Sequence, residues 1–135
     1  MANSTTPLTQ TAWLWQLALA GYWLALFAAT HLPRRVASPP GGRVAELAHF
    51  LTYAVLAGLL AITWQRSAGR LSIAHLRWAW VALAVYAAFD ELTQIPVGRT
   101  ASWADWLADV LGALLGLALF WWYAKPQATA LRRIQ

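Results

Sequence analysis

Four apolar windows of membrane-crossing length constrain this chain more than any other feature. They fall at about residues 12–30, 44–64, 74–92 and 102–123, each close to the ~20 helical residues that span a hydrocarbon core. The connections between them are short and the tails polar and small, so no length remains for a soluble domain. Of the 135 residues, 60% are hydrophobic and 11% charged, whereas soluble domains carry about 25% charged residues. The expected fold is all-α: a polytopic membrane protein, residues 1–135 forming one compact bundle of four transmembrane helices. The first window is expected to be retained, because "MANSTTPLTQT" offers no basic region of the kind that opens a signal peptide.

Local signals set the boundaries. Pro33 ends the first helix, and "PRRVASPPGGR" reads as a constrained turn. Pro96 stops the third helix near residues 91–94, and Ser102 with Asp105 forms the Ser-x-x-Asp start signal of the fourth. Indole rings favour the membrane–water interface. Trp13, Trp15, Trp64, Trp78, Trp80, Trp121 and Trp122 mark one side, and Trp103 and Trp106 the other, with Trp23 in mid-helix.

Charge orients the chain and excludes one partner class. Six basic residues (Arg66, Arg70, Arg77, Lys125, Arg132, Arg133) share a side with both tails, against four (Arg34, Arg35, Arg43, Arg99) opposite. The expectation is a multi-pass protein of the plasma (inner) membrane with cytoplasmic tails. The net charge of +5 is scattered over loops and tails without a nucleic-acid motif, so the expected partner is membrane lipid and not nucleic acid. Cysteine is absent, which removes disulfides and thiolate chemistry.

All five acids, Glu46, Asp90, Glu91, Asp105 and Asp109, belong to one end of the bundle, where the second and fourth helices begin and the first and third end. Glu46, His49 and Tyr53 share a face of the second helix. Asp105, Asp109, Gly112 and Gly116 form one stripe on the fourth, and glycines four apart permit close helix approach, so this stripe is expected to face protein. Asp109 lies about 10 Å into its helix. A charge at mid-helix costs ~2.5–3.5 kcal/mol on insertion, so Asp109 needs a partner or a wet cavity. Ionisable groups inside a membrane are functional candidates by default. Glu46, His49, Asp90, Glu91 and Asp109 are the candidate acid–base cluster and the candidate ligands of a possible divalent metal. Tyr53, Gln94, Arg99 and Asp105 are candidate ligand-binding residues, Arg99 as a fork for phosphate or carboxylate. Blander roles stand beside these: an ion pair for Arg99 with Asp90 or Asp105, packing for Tyr53, Gly112 and Gly116, capping for Asp105. His31 and His75 are expected to be solvated at helix ends.

"ELAHFLTYAVLAGLL" followed by "DELTQIPVGRTASWADWLADVLGALLG", about residues 44–117, resembles the VanZ-like family of small membrane proteins. The shared pattern comprises His49, Phe50 and Tyr53; Asp90, Glu91 and Gln94; Gly98 and Arg99; and Asp105, Asp109, Gly112 and Gly116. Two positions depart from it: "IPV" replaces an aromatic before Val-Pro, and Asp109 stands where Asn is common, adding a negative charge. The resemblance implies a cell-envelope protein with a link to resistance to teicoplanin, a glycopeptide that carries an acyl tail. The label phosphotransbutyrylase borne by some relatives finds no acyl-CoA or phosphate motif here.

Three functions remain open. One is binding or modifying a lipid-linked or amphiphilic ligand, including a glycopeptide, at the outer membrane face. The second is a metal-dependent hydrolase or transferase working by water attack, since no nucleophile–base motif is present. The third is a non-catalytic interaction protein in which the acids clamp the helices together. Ion conduction is not favoured, because the half opposite the acids is almost wholly apolar.

Overall fold

In the computed structural model, residues 11–32 and 42–132 are described, with side chains as far as residue 124. Pro33, Arg34, Arg35 and Arg133 lie outside the described residues, as do the side chains of Lys125 and Arg132. The described residues form four α-helices without strands: α1 (Ala12–Thr30), α2 (Arg43–Ala68), α3 (Ile73–Thr93) and α4 (Trp103–Arg132), with a 3₁₀ turn at Ile95–Val97. Helix α2 continues past residue 64, where the apolar window ends, because "QRSA" holds good helix formers until Gly69. Helix α4 runs past residue 123 and through Pro126.

Helices α1, α2 and α4 are long and apolar enough to cross a membrane. Helix α3 has the length, at 21 residues, but His75 and Arg77 at one end and Asp90 and Glu91 at the other make it less apolar. Polarity is distributed as a bilayer requires: Leu17, Leu24, Val85 and Leu119 face outward, while Asp90, Glu91, Gln94 and Asp109 are buried. Such an arrangement leaves the apolar surface to lipid and the polar groups to one another.

The α2–α4 interface is the most extensive, with α1 laid against α2 and α3 against α4. Glycine sets the closeness of the central pair. A Cβ on Gly112 would overlap the Phe50 carbonyl, and one on Gly116 the Ala54 carbonyl. The expected stripe therefore faces α2. Trp80 and Trp106 do more than mark an interface: their indole N–H groups donate to the Val110 carbonyl and the Ala84 carbonyl, both at 3.1 Å, joining α3 to α4. Helix α1 is fastened to α2 by Tyr22 Oη donating to the Thr52 carbonyl at 2.9 Å and Thr63 Oγ1 to the Trp15 carbonyl at 3.1 Å. Trp23 meets Tyr86 of α3 edge-on at 4.9 Å.

Candidate functional site

Successive residues on an α-helix point about 100° apart, so the neighbours Asp90 and Glu91 look into different surroundings. Asp90, 1% exposed, turns toward α1. Its Oδ1 accepts from Thr30 Oγ1 and its Oδ2 from Gln94 Nε2, both at 3.2 Å. His31 stands beside this pair, with Nδ1 2.9 Å from the Phe27 carbonyl, Nε2 2.9 Å from Thr93 Oγ1 and the Asp90 carboxylate 3.9 Å away. The ring stacks on Phe27 at 3.8 Å. His31 is therefore part of a half-buried connection between α1 and α3, a role that the helix-end position alone did not suggest. Its one sequence signal was that it lies at the same end as the acids. His75, by contrast, closes a capping box with Ser72 at the start of α3.

Glu91, also buried, turns toward α4. Its Oε2 accepts the Ser102 backbone N–H at 2.6 Å. Ser102 Oγ in turn accepts from the Asp105 backbone N–H at 3.2 Å, so half of the expected capping box forms. The reciprocal half is supplied by Glu91 from another helix, in place of Asp105. A carboxylate suits that place, since the N-terminal end of α4 presents free amides and a partial positive charge.

Asp109 is fully buried, and its Oδ1 lies 3.0 Å from His49 Nδ1. One ligand-type atom from each of His49, Glu91 and Asp109 can be chosen so that all lie within 4.8 Å of one another. Three helices thus converge on one point. Glu91 Oε1, Asp109 Oδ2 and the Tyr53 hydroxyl are buried without a hydrogen-bond partner among the described residues. Glu46, half-buried one turn before His49, and Asp90, already engaged, stand outside this group of three.

The loop carrying Arg99 is set by the 3₁₀ turn. Gly98, with φ of 80°, adopts the left-handed conformation that a side chain disfavours, and the Arg99 backbone N–H then returns to the Gln94 carbonyl at 3.2 Å. Among the described residues Arg99 forms no ion pair, so the alternative role, a pair with Asp90 or Asp105, is not taken. Instead it lines an open cavity of about 180 Å³ between α1 and α2, with Leu26, Ala29, Ala45 and Ala48 as apolar walls and His49 at its edge. A larger cavity of about 540 Å³, bordered by Gly58, Gly116 and Arg66, lies toward the other end of the bundle, away from the acids.

In comparisons with known proteins, the family model described as VanZ/LLP1 matches residues 3–124. No curated protein and no solved structure matches.

Proposed function

The chain belongs to the VanZ/LLP1 family, and from that premise we propose that it is a plasma-membrane protein binding a lipid-linked or amphiphilic ligand. The apolar tail of the ligand lies in the α1–α2 cavity, and Arg99 takes its anionic head group. The observation that carries this reading is Arg99 lining a mainly apolar cavity with no ion pair among the described residues. An arginine left without a carboxylate, at the end of the bundle that holds every acid, is available for a ligand from outside. Its planar fork matches a phosphate or carboxylate. With cytoplasmic tails, this end lies at the outer leaflet, where lipid-linked envelope intermediates and glycopeptides such as teicoplanin are found. A role in resistance to such a compound follows if the ligand is sequestered or altered there.

The test is direct binding of farnesyl phosphate, an amphiphile with a phosphate head, to the detergent-purified chain. Arg99→Lys should weaken binding about tenfold, because a point charge replaces a two-pronged donor. Ala48→Trp should abolish it by filling the cavity. Equal affinity in the parent and both variants would remove the reading.

A further inference from the structure

We propose that His49, Glu91 and Asp109 form a site for a divalent transition-metal ion of the Mn²⁺ or Zn²⁺ class. The inference stands independently of what occupies the α1–α2 cavity.

Three observations carry it. The first is geometry. His49 Nδ1 and Asp109 Oδ1 are 3.0 Å apart, the separation of two ligands held at ~2.1 Å from one ion at a right angle. All three atoms lie within 4.8 Å of one another, against the ~4.2 Å spanned by two ligands on opposite sides of an ion, so binding would draw the three side chains together by a few tenths of an ångström.

The second is unmet hydrogen-bonding capacity. Among the described residues Glu91 Oε1 and Asp109 Oδ2 find no donor although both are buried, and such groups are ordinarily satisfied. Glu91's other oxygen is engaged by the Ser102 backbone N–H, which fixes that carboxylate while leaving one oxygen open. Asp109 Oδ1 faces His49 Nδ1, a contact that the ion would replace by binding both atoms. The Tyr53 hydroxyl, one turn beyond His49, is likewise fully buried and unpartnered.

The third is charge. Among the described residues no Lys or Arg pairs with Glu91 or Asp109, and His49 alone lies against them; two buried carboxylates thus face at most one cationic side chain, and an uncompensated buried charge is strongly unfavourable. A divalent cation neutralises both carboxylates at once. The donor set of one imidazole and two carboxylate oxygens suits Mn²⁺ or Zn²⁺ better than Cu⁺, which prefers sulfur. Three protein ligands leave a coordination position open, as in catalytic metal sites, and His49 borders the cavity through which a small molecule would reach it.

The test starts from the full-length chain in detergent, stripped with EDTA and titrated with Mn²⁺ and, separately, Zn²⁺. Native mass spectrometry should show one ion per chain, with about 100-fold weaker binding in Glu91→Gln and Asp109→Asn. Asp90→Asn should retain the ion, because that carboxylate is committed to Thr30 and Gln94. Pulsed electron paramagnetic resonance of the Mn²⁺-loaded parent should show coupling to one imidazole nitrogen, a readout that does not depend on any variant folding. No retained ion of either kind, no nitrogen coupling, or equal loss in Asp90→Asn would overturn the site and assign the buried carboxylates to protonated forms.

Discussion

At the scale of the residue, Asp90 and Glu91 divide two tasks between adjacent positions. Asp90 has both oxygens satisfied by Thr30 and Gln94, so its role is to tie α1 to α3. Asp90→Ala should take the carboxylate from the buried Gln94 amide, while Thr30 keeps the Phe27 carbonyl, and cost about 1–3 kcal/mol, read as a lowered unfolding midpoint in detergent without loss of metal or ligand binding. The sequence makes the acids visible as candidates, because ionisable groups in apolar helices are rare and costly. It does not reveal their partners. Thr30 lies 60 residues from Asp90, and no local spacing announces that α1 delivers a hydroxyl there. The start of α4 is a related case: Ser102 caps as its motif predicts, but the acid completing the cap arrives from α3.

At the scale of the element, small residues decide which helices touch. The Asp105–Asp109–Gly112–Gly116 stripe is legible from spacing alone, including its inward direction. Its choice of α2 as partner is not, since any neighbouring helix could have received it. The carbonyls of Phe50 and Ala54 occupy the space that side chains at Gly112 and Gly116 would need. Gly112→Ala should force α2 and α4 apart and cost about 1–3 kcal/mol. Gly58→Ala, with nothing within 4 Å of the added carbon, should be neutral or gain up to ~1 kcal/mol from better helix propensity. Thermal unfolding of the two variants side by side checks the contrast. The helix ends at residues 68 and 132 exceed the apolar windows because hydropathy marks where lipid begins and not where backbone hydrogen bonding stops.

At the scale of the whole molecule, the buried acids gather at one end and the outward surface is apolar. On the proposed orientation, with the tails in the cytoplasm, Thr100→Cys should react with a membrane-impermeant maleimide added to intact cells, whereas Ala68→Cys should react only after the membrane is opened. The native chain contains no cysteine to confuse the signal, and the reverse pattern would place the site on the cytoplasmic face. The division of polarity among the helices also bears on how the protein is made. Helix α3 is the least suited to entering lipid by itself, yet the indoles of Trp80 and Trp106 bind it to α4, and Glu91 accepts the Ser102 amide at the head of that helix. A translating ribosome delivers α3 before the segment that shields its carboxylates. The two should therefore partition from the translocon as a hairpin, and a nascent chain released at residue 101 should leave α3 outside the bilayer.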